Sequence, residues 1–147
     1  MLPSEVRTRV LDQHSELRER IEQLEKMAHQ TLESASEGAA LLTELGEFLR
    51  RLQEHMYYED KALKPVLAEA DPWGPERVLR FERDHEQQRG WIEGLTKDGP
   101  SRTSDELAML TLGFLQVLRR DMEDEEADVL SAELLKDDPV VVHSEPE

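Results

Sequence analysis

Apolar residues recur three and four positions apart along almost the whole chain, and alternating apolar and polar stretches are nearly absent, which predicts helix throughout. Four segments separate. The first runs from Ser4, as N-cap, to Leu32, with Val10, Leu17, Ile21, Leu24 and Ala28 on one face and His14 in the same stripe. After a break at residues 33–38, where Ser34 and Glu37 have capping-box spacing, the second runs to Ala70. It turns Leu42, Leu45, Phe48, Leu49, Leu52, His55, Met56, Glu59 and Leu63 inward, and Pro65, which lacks a donor, is expected to kink its last turn. Beyond Asp71-Pro72-Trp73-Gly74-Pro75 the third presents Val78, Phe81, His85, Ile92 and Leu95. Beyond Lys97–Arg102 the fourth, capped by Thr103 with Glu106, presents Leu107, Leu110, Phe114, Leu118, Asp121, Glu125 and Val129.

Long helices with short connections pack most simply as an all-α, antiparallel up-down-up-down four-helix bundle, here with one core in a single domain over residues 1–135. The acidic segment 136–147 reads as a C-terminal tail. The second half also repeats the first. An offset of 66 residues carries Phe48, Leu49, Leu52, His55, Met56 and Glu59 onto Phe114, Leu115, Leu118, Asp121, Met122 and Glu125. An offset of 71 carries His14, Arg18, Ile21 and Leu24 onto His85, Arg89, Ile92 and Leu95. The polar interruptions match as well as the apolar stripe, so the bundle reads as two similar helical hairpins.

Charge and composition narrow the partners. With 18 Lys and Arg against 34 Asp and Glu, the net charge is -16, which repels nucleic acid and anionic membrane surfaces and attracts multivalent cations. The absence of cysteine excludes disulfides, thiolate metal sites and thiol catalysis. No stretch approaches the ~20 apolar residues that cross a bilayer, and the start has no basic stretch followed by an apolar one, so a cytoplasmic location is expected.

Chemistry enters through residues that sit where carbon belongs: His14, His55 with Glu59, His85, and Asp121 with Glu125. Each i, i+4 pair lies one turn apart on one face, so both members reach a common point. Leaving such groups unpartnered in a core costs about 1–3 kcal/mol each, more for a carboxylate, against a total stability of about 5–15 kcal/mol. No Lys or Arg lies squarely on the stripe; Arg18 and Arg89 flank it. Two divalent ions would bring +4 against the -3 of Glu59, Asp121 and Glu125, a difference that a hydroxide could cancel. Three imidazoles and three carboxylates without sulfur suit iron first, with manganese or zinc as the other candidates.

At these residues the chain resembles the haemerythrin-like, or HHE cation-binding, domain, a four-helix bundle holding a non-haem di-iron centre. The likeness covers residues 1 to about 135 and rests on His14, on His55-Met-Tyr-Tyr-Glu59-Asp60 followed by Leu63-Lys-Pro65-Val-Leu67, on His85-Glu86 and on Glu125-Glu126. It implies two irons per chain, held by His14, His55, Glu59, His85, Asp121 and Glu125. Two positions depart from the family pattern. Arg89 stands where the oxygen-carrying members have a second histidine, and Asp121 stands where members with one histidine in the third helix have histidine.

Each residue also has an ordinary alternative. A lone buried histidine is commonly a hydrogen-bonded core residue, and Asp121–Glu126 has the look of a solvated acidic face, with Asp124 and Glu126 as substitutes if the register slips. His29, about 22 Å along the helix from His14, and His143 in the tail are expected at the surface. Tyr58 is either a hydroxyl donor to a ligand or an ordinary half-buried tyrosine.

The function these features imply is binding or reduction of a small oxidant such as dioxygen, peroxide or nitric oxide, or iron buffering. Any enzymatic activity would be peroxidase- or ferroxidase-like, since a ligand set richer in carboxylate than that of the oxygen carriers favours the ferric state. The competing expectation is an interaction or signalling module with a single structural metal such as zinc, or none. The protein partner is not legible.

Overall fold

A computed structural model of the chain describes residues 1–137. These form α1 (Pro3–Glu33), α2 (Gly38–Tyr58), a π turn (Glu59–Leu63) running directly into α3 (Lys64–Ala70), α4 (Gly74–Asp98) and α5 (Ser104–Asp128), with short 3-10 turns at Ala35–Glu37 and Gly99–Ser101. The described residues contain no strand, and α2, the π turn and α3 make one continuous second helix, so four long helices pack as in a four-helix bundle. No helix among them is long and apolar enough to cross a membrane.

Helix ends follow local chemistry, with two corrections. α1 begins at Pro3 with Leu2, not Ser4, at the N-cap. Pro3 needs no acceptor at the first helical position, and the Leu2 N–H donates to Glu5 Oε1 at 2.8 Å. Ser4 instead donates from N and Oγ to the Asp137 carboxylate at 2.8 and 2.7 Å, tying the end of the described chain to the start of α1. Ser34 does not start the second helix; it is the C-cap of α1, where its N–H donates to Gln30 O at 2.9 Å. Its neighbours form a 3-10 turn, and α2 starts at Gly38, where a Cβ would collide with Ser104 Oγ at the start of α5. Thr103 and Glu106 form the expected capping box, through bonds of 3.0 and 3.2 Å.

Pro65 disturbs its helix upstream of itself. The Lys64 N–H donates to Glu59 O, five residues back, so one turn is widened to the π form just before the proline ring. In a regular helix that ring would crowd the carbonyl of Lys61, and the wider turn moves the carbonyls away. Gly74 then allows the sharp passage into α4, since a Cβ there would strike the carbonyls of Leu67 and Ala68.

The expected single core is divided. One apolar cluster contains Leu17, Ile21, Leu24, Leu45, Phe48, Leu52, Ile92, Phe114 and Leu118; a second contains Val6, Val10, Leu63, Leu67, Phe81, Val129, Leu130 and Leu135. Each fully buried Leu, Ile or Phe contributes about 1.5–3 kcal/mol. His14, His55, Glu59 and His85, all buried, lie in sequence between residues of the two clusters, so a polar layer splits the apolar interior. Leu42, Val78 and Leu110 are half-buried, while Leu41, Gln88 and Thr111 are buried instead.

Candidate metal centre

Four donors converge. One ligand atom from each of His14, His55, Glu59 and Glu125 lies within 4.8 Å of every other. His55 and Glu59 meet through their one-turn spacing, with Nε2 and Oε2 3.2 Å apart. His14 comes from α1, and its Nε2 is 2.9 Å from Glu125 Oε1 on α5 and 3.8 Å from Glu59 Oε2. His85 on α4 joins through the other oxygen of Glu59, with Nε2 to Oε1 at 2.9 Å. Glu59, 2% exposed, thus faces three imidazoles.

All three rings present Nε2 inward and are held from behind at Nδ1. The Nδ1–H of His14 donates to Glu126 Oε2 at 2.8 Å, that of His55 to Gln13 Oε1 at 2.6 Å, and that of His85 to Asp60 Oδ1 at 3.1 Å. These bonds fix the tautomer that leaves Nε2 free for a cation.

The charge state without metal follows from crowding. Burial opposes a charged His14, but the carboxylates of Glu125 and Glu59 outweigh it and raise the imidazole to about 10. Glu59 is held well below the usual carboxylate range: burial pushes it up, and the three imidazoles of His55, His14 and His85 around it prevail. Glu125 is pushed well above that range by burial and by the neighbouring Glu59 charge.

The donor set fits a metal on a further observation. His14 Nε2 and Glu59 Oε2 are fully buried and have no hydrogen-bond partner, although oxygen or nitrogen atoms stand close by. Nitrogen and oxygen atoms crowded together without hydrogen-bond alignment are what ligands of one ion look like. The cavity beside them has a volume of about 20 Å³, room on the order of one water or ion, and its apolar lining is Leu17, Ile21, Phe48, Leu52, Leu118 and Met122.

Asp121 stands apart from the four. It lines the same cavity, but its Oδ2 accepts from Gln88 Nε2 at 2.9 Å, and burial together with the nearby Asp84 and Asp124 charges raises its carboxyl. Asp84, also on the cavity wall, is raised by burial and by Asp124. Tyr58 is half-buried and its hydroxyl donates to Met1 Sδ at 3.4 Å, away from the site. His29 is exposed, and His143 lies outside the described residues.

Sequence reasoning missed Gln13 and Gln88, named Asp60 as part of the helix-two motif and weighed Glu126 only as a substitute ligand, whereas Asp60 and Glu126 hold the outer nitrogens of His85 and His14. The signal was present: the 66-residue offset that pairs Glu59 with Glu125 also pairs Asp60 with Glu126.

The family model described as the Hemerythrin HHE cation binding domain matches residues 6–132. No curated protein and no solved structure matches the chain.

Proposed function

The chain belongs to the haemerythrin HHE cation-binding family, and on that premise we propose that it carries a non-haem di-iron centre in an antiparallel up-down-up-down bundle. At this centre it would bind or reduce a small oxidant, namely dioxygen, peroxide or nitric oxide, or it would buffer iron. The observation that carries the proposal is the pair of buried, unpartnered atoms, His14 Nε2 and Glu59 Oε2, inside a four-residue donor cluster. His14 and His55 would hold one ion and His85 with Asp121 the other, with Glu59 and Glu125 shared. Glu59 supports the sharing role by offering Oε1 to His85 and Oε2 to His55.

Bound iron would supply the electrons that a small oxidant accepts. The chain's own contribution is selection and protection. Apolar side chains line much of the cavity, and a space of about 20 Å³ admits nothing of the size of an organic substrate. Three imidazoles held from behind keep their donor atoms aimed inward without reorganisation. The carboxylates favour the higher oxidation state, so ferroxidase- or peroxidase-like chemistry suits the set better than reversible oxygen carriage.

A second reading, one structural ion such as zinc in an interaction or signalling module, draws on the fact that only four of the six candidate donors converge tightly while Asp121 turns to Gln88. Metal analysis of protein purified without added metal separates the two. Two irons per chain with an oxidant-dependent spectrum support the di-iron proposal, and one redox-inert ion supports the alternative.

A further inference from the structure

Two pairs of adjacent acids each clamp one imidazole by both nitrogens. Glu125 lies 2.9 Å from His14 Nε2 while Glu126 lies 2.8 Å from its Nδ1. Glu59 lies 2.9 Å from His85 Nε2 while Asp60 lies 3.1 Å from its Nδ1. The outer acid is in each case held by an arginine one turn beyond the histidine. Arg18 reaches Glu126 at 2.8 and 3.0 Å, and Arg89 reaches Asp60 at 2.9 Å. The sequence offsets relate the two sets residue by residue: 71 carries His14 and Arg18 onto His85 and Arg89, and 66 carries Glu59 and Asp60 onto Glu125 and Glu126.

We infer that Arg18–Glu126 and Arg89–Asp60 are two equivalent relays that position His14 and His85 and strengthen Nε2 of each as a donor to a cation. The inference rests on the metal-centre proposal above and assigns to its outer residues a role beyond it. As stability devices the two ion pairs would contribute little, since Arg18 is 33% and Arg89 55% exposed at the side chain and exposed pairs are worth about 0–1 kcal/mol. Their leverage is on the ring. A carboxylate accepting Nδ1–H holds the proton on that nitrogen and pushes electron density toward Nε2, and the arginine keeps the carboxylate in place. His55 lacks this arrangement. Its Nδ1–H meets the neutral amide oxygen of Gln13, so the chain puts carboxylate relays on one histidine of each hairpin and leaves the third without one.

The test is an anaerobic Fe(II) titration of metal-free protein against a competing chelator, for wild type, Glu126→Gln, Asp60→Asn, Glu126→Asp and Asp60→Glu. The amide variants keep shape and remove the charge. Each is expected to weaken iron binding by about 10–100-fold and to raise the reduction potential of the iron-loaded protein. The acidic variants restore the carboxylate and should recover much of the affinity. Wild-type affinity and potential in both amide variants would overturn the relays, as would equal losses in the amide and acidic variants, which would make packing the cause. Should an amide variant fail to fold, Arg18→Met and Arg89→Met carry the test: a fall in affinity supports the relays, and wild-type affinity in both overturns them. If wild type itself takes up no iron, the metal-centre proposal fails and the relays with it.

Discussion

Glu59 and His85 are joined through a single short contact, Oε1 to Nε2 at 2.9 Å, while the other Glu59 oxygen stands 3.2 Å from His55. One buried carboxylate thereby links the second helix to α4 and connects the four-donor cluster with the third histidine. Replacement of Glu59 by Ala should abolish metal binding, and Glu125→Ala should do the same if it shares the bridging role. Metal content per chain after purification measures this, and retention of wild-type stoichiometry in both variants would remove the bridging assignment.

Metal should stabilise the fold, because the ligands converge only in the native chain. At free metal about 1,000-fold above Kd the gain is about 4 kcal/mol. Thermal melts before and after chelation, with metal loss verified independently, should show a lower Tm for the stripped protein. An unchanged melt would mean that the polar layer satisfies itself.

The stripped protein should lose stability on the alkaline side. His14 is raised to about 10 in the folded chain from its ordinary 6.5, so the folded state keeps a proton that the unfolded state releases. The stability this confers is complete below about pH 6.5 and is lost as pH rises through about 10, and the raised Glu125 acts in the same direction. Melts of metal-free protein across pH 6.5–10 should fall, whereas metal-loaded protein, with no proton on Nε2, should be flatter in that window.

Most of the site was legible because a buried polar residue in an apolar stripe is a conspicuous violation. His14, His55, Glu59 and Glu125 converge, and His85 meets them through Glu59. Asp121 obeyed the same periodicity yet turns to Gln88, because a short carboxylate within reach of a buried amide satisfies itself locally. Helix periodicity reports which face a residue occupies but not which neighbour its end atoms choose. The π turn was illegible for a related reason: Pro65 announced a disturbance, while its position depended on which carbonyls could move.

Asp121 is therefore the position that tests the proposal of a second ion. Autoxidation rate and iron content of wild type, Asp121→His and Asp121→Ala should differ if it contributes a ligand: His should slow autoxidation at unchanged stoichiometry, since one negative charge is lost and a donor kept. Three indistinguishable proteins would confine Asp121 to its bond with Gln88.

Away from the site, Thr103→Ala removes the acceptor for the Glu106 N–H at the start of α5 and should cost about 1 kcal/mol in denaturant unfolding, with metal content unchanged. No loss would mean that solvent replaces the cap.

The widened turn at Glu59–Leu63 also constrains how this sequence can drift. Each helical residue turns the rest of its helix by about 100°. Because the widened turn fits one extra residue into a single turn, deleting one residue between 59 and 63 would restore ordinary helical bonding while leaving Leu63 and Leu67 facing the second apolar cluster and His55 and Glu59 facing the polar layer, whereas a second deletion or an insertion would swing one set away from its layer. A single-residue deletion in this stretch should therefore be tolerated where an insertion or a longer deletion is not, and the direction in which His55 and Leu67 face, rather than the number of residues between them, becomes the marker of a working homologue.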